Sequence, residues 1–487
     1  MSNPLVVHGA TTEQHDDGTI EIAFSGRFGF GIYRWAYLPF HVPAGVQQIR
    51  VGTSHEDFAA AGIARNVLDL GIFGPPGFDL GNAAGFRGWS GGARDGFVIS
   101  SGYATPGYLA GPIEPGIWAV ALGPVVLSPW GMAWQVRVTM SGQAPAEAGQ
   151  PAESDRRAVA SGPAPAPPSA SVGGARWYRG DLHLHTVHSD GERDPDELVS
   201  AAHAARLDFI VSTEHNTNSA NRVWPRCRSG SLLIIPGEEV TTRHGHWLAV
   251  GLSAHAWVDW RYGPRDGVFG RFAAEVRQAG GLVVAAHPAV PLPGSAWEFG
   301  FGDVDALEVW NGRWNVDDEV SLRIWQRLLR QGRHIVAVGG SDSHGKHQVV
   351  GSPQTAVHAP ELSIAAIVDG LRRGRSYIVG SSEVACELIA TCPNSGADEV
   401  AGPGQTLRAP PGAAATVTAV ISGAPGTTAA LITGAGCAGR ASVRSASARL
   451  QWEIDAASAR FARLEVRSAR RGRLGAMVAL TNPVWLT

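Results

Sequence analysis

The 487 residues of the chain exceed what one ordinary hydrophobic core holds, so roughly two to four domains are expected. Charged residues make up 17% and the formal net charge is -3, which excludes a global basic field of the kind that draws nucleic acid. Four cysteines (Cys227, Cys386, Cys392, Cys437) in so long a chain exclude a disulfide framework and a Cys-x-x-Cys zinc site.

Residues 1–140 read as short strands separated by Gly and Pro turns. Thr19–Phe24, Gln48–Val51, Phe97–Ser100 and Trp134–Val138 alternate, and no useful helical period appears, which is the pattern of an antiparallel β-sandwich. Its aromatics Trp35, Trp89, Trp118, Trp130 and Trp134 serve either a sugar-binding face or, as is commoner, packing. Residues 141–175 shift to Ala, Pro, Ser and Gly, including the Pro163–Pro168 run, and read as an extended linker at a domain boundary. Polar and acidic residues follow Met1, and no run reaches about 18 apolar residues, so a cytoplasmic protein without a membrane span is expected.

From 176 to 380 strands and helices alternate. Asp194-Pro195-Asp196-Glu197 is a helix start, with a capping side chain, Pro in the first turn and a Glu reaching back. Leu198, Ala201, Ala202 and Ala205 then share one face. Phe209–Ser212, Leu232–Ile235, Leu282–Ala286 and His334–Val338 are buried strands, and helices are expected over 268–279 and 317–331. About seven such units suit a small parallel α/β barrel better than an open sheet. Residues 381–487 return to a β pattern and predict a second sandwich, with strands over 384–391, 415–421, 429–432, 450–454 and 461–466.

The chemistry is carried by residues placed where apolar runs stop. In Asp181-Leu-His183-Leu-His185 the alternation puts both imidazoles on one face of a strand, roughly 7 Å apart at the backbone, close enough to converge on one cation. Asp190 follows in a turn closed by Gly191. His215, Glu239, His246, His287, Asp342 and His344 come in similar settings further along. Ligands at the ends of successive strands are what the C-terminal mouth of an α/β barrel presents. Six imidazoles and three carboxylates, with no thiolate, suit Zn, Mn, Fe or Co. They are too many for one tetrahedral ion and enough for two or three divalent ions with one carboxylate bridging. Three such ions against three carboxylates leave about +3 in the mouth, which suits an anionic small-molecule substrate and a hydroxide nucleophile held between ions. No Gly-x-Ser-x-Gly elbow offers a side-chain nucleophile instead.

As an ordered set, His183-x-His185 with Asp190, Thr-Glu-His215-Asn, Gly-x-Glu239, Ala-His287-Pro and Ser-Asp342-x-His344 resemble the motifs of the PHP (polymerase and histidinol phosphatase) superfamily. Gly245-His246, Glu308-Val-Trp-Asn311 and Ala479–Pro483 look more like its branch of carbaryl (methylcarbamate) hydrolases. The resemblance implies a distorted (β/α)7 barrel and a trinuclear site. It places His183, His185, Glu239 and Asp342 on a first ion, Glu239, His246 and His287 on a second, and Asp190, His215 and His344 on a third. One departure stands out: Glu214 precedes His215 where the family has Asp.

The expected activity is therefore phosphoester hydrolysis by a metal-bound hydroxide, with Asp190, Glu239, Asp342 and Asn311 at the reacting centre. The alternative is carbamate or carboxylic-ester hydrolysis, for which Trp247, Trp257, Trp260, Trp310 and Trp314 would hold an aryl group; a binding module without activity is a third reading. Glu238 is expected on the opposite strand face. His188, His244 and His347 are candidates for a general acid or simply solvated neighbours, and Arg243, Arg313 and Lys346 for a phosphate clamp. Neither nucleic acid nor membrane is an expected partner, and the sequence sets no oligomeric state.

Overall fold

The computed structural model describes residues 5–31, 34–57, 65–142, 174–227, 229–292, 294–392, 400–410, 412–468 and 475–487. Most of the linker expected over 141–175 lies outside them. Two antiparallel sheets are formed by the described residues up to 142. One is ordered Leu5–Gln14, Ile20–Phe28, Met132–Ser141, Gln48–His55, Gly96–Ser100, and the other Ala36–Val42, Gly116–Val126, Val67–Phe73, Phe86–Gly91. Alternate residues of each strand point inward: Ile22, Phe24, Leu38, Phe40, Trp118 and Trp134 share one core. Trp118 and Trp134 are thus packing residues, whereas Trp130 is exposed.

A second region, mixed α/β, begins with the strand Arg176–Asp181. Parallel to it run Phe209–Ser212 and then Leu233–Thr242; Gly245–Val250 turns back antiparallel. Leu282–Ala285 pairs antiparallel with that strand and parallel with Ala306–Asn311, which pairs with Val336–Gly340. The sheet curls until its ends meet. Leu184 and Ser343 form a parallel bridge, and the Asp342 amide donates to the His183 carbonyl at 2.8 Å. Helices Pro195–Ala204, Val316–Arg330 and Ile364–Arg372 start at side-chain caps, and Phe269–Gln278 starts without one. Asp194 and Glu197 close a capping box, and Phe269, Phe272, Ala273 and Val276 form a buried stripe. The regular alternation expected from the sequence is broken twice. Only short 3-10 turns follow Phe209–Ser212, and a tight hairpin joins Leu233–Thr242 to Gly245–Val250.

The sheet continues past the curl through Gln354–Ala359 and Ser376–Val379 into Met477–Thr481, Phe461–Ser468, Thr427–Thr433 and Cys437–Val443. A four-stranded sheet that includes Ala385–Thr391, Ala414–Ser422 and Ser447–Asp455 packs against that extension. The C-terminal β region therefore shares a ladder with the mixed region rather than hanging from it. The four cysteines are free. Among the described residues no helix is long and apolar enough to cross a membrane.

Candidate metal centre

Nine side chains drawn from the ends of these strands converge. Glu239 lies at their centre, fully buried, on the same strand face as Thr241, while Glu238 points the other way and accepts the Val258 amide. Burial in apolar surroundings pushes the Glu238 carboxyl well above the ordinary carboxylate range. Around Glu239 the distances are those of ligand atoms sharing an ion. His183 Nε2 is 3.1 Å and His185 Nε2 3.4 Å from Glu239 Oε2, and Asp342 Oδ1 is 3.4 and 3.0 Å from the same two nitrogens. Donors about 3.4 Å apart are what bonds of about 2.1 Å around a tetrahedral cation produce. The other oxygen, Oε1, lies 2.9 Å from His246 Nδ1 and 3.3 Å from His287 Nε2. A third group surrounds Asp190 Oδ1, with His215 Nε2 at 3.4 Å and His344 Nε2 at 3.3 Å.

The donor set fits cations by a further observation. His183 Nε2 and Glu239 Oε2 face each other in the interior, yet neither has a hydrogen-bond partner of proper geometry, and His287 Nδ1 is also unpartnered. Buried polar atoms are rarely left so unless something else satisfies them. Backbone conformation points the same way. Asn216, His287 and Asp342 hold positive φ of 55°, 27° and 49°, uncommon for residues other than Gly, and all three lie at this cluster.

The electrostatics are those of a site built around positive charge. Burial pushes Glu239 upward, but His215, His183 and His246 outweigh it and hold the carboxyl well below its ordinary range. Asp342 is likewise depressed, with His183 and His185 overcoming its burial. Burial favours neutral imidazole at His215, yet Glu239 and Asp190 raise it to about 10. His185 goes the other way, to about 3, through burial and the neighbouring His215 and His344.

Glu308, which sequence reasoning left out of the ligand set, is buried beside the first group. Its carboxylate lies 3.1 and 3.2 Å from His183 Nδ1 and accepts the His287 amide and the Asn311 side-chain amide, each at 3.0 Å. With three donors it is satisfied without an ion. It fixes which nitrogen of His183 faces Glu239, as carboxylates behind metal-binding imidazoles do. The signal was present: an acid inside the apolar run Ala306–Trp310 has no wet face and needs an internal partner. Asn311 Nδ2 also lies 3.2 Å from Asp342 Oδ2, so its amide is committed to aligning the two carboxylates.

Several other candidates lie elsewhere. His188 Nδ1 pairs with Ser219, His244 with Glu298, and Lys346 with Glu197. Arg243 stacks on Trp35 at 4.0 Å. Trp247, Trp257 and Trp260 do not surround the site: they lie in a core shared with Phe73, Phe86 and Trp89 of the N-terminal sandwich, where Phe86 stacks on Trp257 at 4.3 Å. Trp310 and Trp314, an edge-to-face pair at 5.3 Å, flank Asn311. Glu214 is no ligand either. It accepts the Thr186 amide and the hydroxyls of Thr186 (2.6 Å) and Ser189 (2.5 Å), tying its own segment to the loop that carries Asp190.

No family model and no curated protein matches the chain. Among solved structures it is similar to a two-domain protein from Bacteroides vulgatus described as containing a predicted PHP-like metal-dependent phosphoesterase. The identity is 18% and the TM-score 0.37, with 65% of this chain and 97% of that one covered. It is also similar to an amidohydrolase from Chromobacterium violaceum with bound sulfate, at 19% identity and TM-score 0.27 over 35% of this chain and 89% of that one.

Proposed function

We propose that the protein is a metal-dependent hydrolase of the PHP type that cleaves a phosphoester. In this reading the curled sheet of residues 176–380 is a distorted (β/α)7 barrel. The observation that carries the proposal is the pair of oxygens of Glu239, each turned to a separate set of imidazoles. Divalent cations held there supply Lewis acidity, lowering the pKa of water and neutralising charge that develops on phosphoryl oxygens. The chain's own residues do the rest. Glu239 spans two of the groups and fixes their separation. Glu308 holds His183 in one tautomer, and Asn311 turns Asp342 toward His185. Asp190 and Asp342, both reaching solvent, mark the open side through which substrate enters. The second reading, an aryl carbamate of the kind taken by carbaryl hydrolases, rests on the likeness of Gly245-His246 and Glu308–Asn311 to that branch.

Phosphomonoesters, phosphodiesters and an aryl methylcarbamate, each offered to protein loaded with Zn, Mn, Fe or Co, separate these readings. Turnover of a phosphoester, falling on the order of 10³-fold in His183→Ala, is expected. Turnover of the carbamate with phosphoesters inert replaces the bond cleaved, and no turnover with any ion contradicts hydrolysis.

A further inference from the structure

The loops that carry Asp190 and His215 are gripped from outside by the N-terminal sandwich. Arg94, on the turn after Phe86–Gly91, donates through Nη2 to the Val187 carbonyl at 2.5 Å. Val187 lies between His185 and Asp190. From the loop around Gly107, the Gly107 amide donates to Ser219 Oγ at 3.2 Å and its carbonyl accepts the Thr217 hydroxyl at 2.9 Å. Since Ser219 Oγ accepts from Gly107, its own proton is free to go to His188 Nδ1, 2.9 Å away. That chain runs from the sandwich through the His215 loop to the Asp190 loop. The fit is close: a Cβ at Gly107 would stand 3.1 Å from the His188 carbonyl and 2.7 Å from that of Trp89. Glu214 ties the same two loops from inside.

We infer that the N-terminal sandwich is part of the third cation site, with Arg94 and Ser219 as positioning residues that clamp the loops bearing Asp190 and His215. The first two groups, built on the strand Leu233–Thr242 and its neighbours, meet the sandwich through the apolar backs of those strands, Val240 and Trp247, rather than through hydrogen bonds to the loops of Asp190 and His215. The inference rests on reading Asp190, His215 and His344 as cation ligands, but not on the bond the enzyme cleaves.

Titration of the metal-free full chain with Mn2+, by calorimetry and by counting bound ion, tests it. The wild type should take three ions. Arg94→Ala and Ser219→Ala should bind the first two as the wild type does and the third about 10- to 100-fold more weakly. The metal-free melting temperature should be unchanged in Arg94→Ala, whose side chain is only half-buried. That variant alone decides the matter should Ser219→Ala not fold. An unchanged third affinity, an equal weakening of all three ions, or only two ions in the wild type overturns the clamp. A wild type that takes three ions and hydrolyses nothing sinks the hydrolase reading and leaves the clamp standing. Hydrolysis with unaltered ion binding in Arg94→Ala does the reverse.

Discussion

The two halves of the site are built by different means. In the inner half the side chains of His183, His185 and Glu239 have no exposure at all, His287 has 8% and His246 13%, and Asp342 alone reaches 21%. In the outer half Asp190 is 44% exposed, His344 31% and His215 21%. Glu239 and His246 lie within strands, so the sheet ladder with its period of two sets their direction, and His183, His287 and Asp342 follow two residues past strand ends. Asp190 and His344 sit on loops, whereas His215 keeps one parallel bridge to Glu239; the Asp190 loop borrows rigidity from Glu214 within and the sandwich without. A buried carboxylate such as Glu239 is tolerable only against neighbouring positive charge, whereas Asp190 keeps part of its hydration. Ion affinity should therefore be high and insensitive to the sandwich inside, and tunable outside.

The largest blow to this contrast should come from Glu239→Gln. Losing the shared carboxylate should remove both inner ions and lower turnover on the order of 10³-fold, while the outer ion is retained. Ion counts and rates on one preparation check it; two retained inner ions would contradict the bridging role. Glu308→Gln should be milder, weakening the first ion about 10- to 100-fold, the second less through the His287 amide it accepts, and sparing the third. The smallest effect is that of pH. His183, His215, His287 and His344 are all raised in the metal-free protein, His215 to about 10. Near neutrality His215 holds a proton that a cation must displace, so affinity rises with pH and binding releases about one proton per chain. Calorimetry in buffers of different ionisation enthalpy measures that release, and its absence would contradict the imidazole ligand set.

The convergence of the nine side chains was legible because nearly all of them come where an apolar run stops, and Glu238 was separable from Glu239 by strand alternation alone. Glu308 escaped because it lies inside its run rather than at the end, and only burial on both faces of the strand reveals that it needs a partner. The helices were readable from caps and stripes such as Asp194–Glu197 and Phe269–Val276. What no periodicity carries is contact between distant segments. Arg94 meets Val187, and Phe86 meets Trp257, across spans longer than any local pattern. For the same reason Trp247, Trp257 and Trp260 suggested a lining for the site when they are the seam between two regions. Nor did any residue announce that Ser376–Val379 would pair with Met477–Thr481 and merge the C-terminal sheet with the curled one.

Anomalous diffraction from crystals grown with Mn2+ is the most direct test. Peaks are expected between His183, His185, Glu239 and Asp342, between Glu239, His246 and His287, and beside Asp190. Electron density with no anomalous peak on either side of the Glu239 carboxylate would contradict a metal centre at this place.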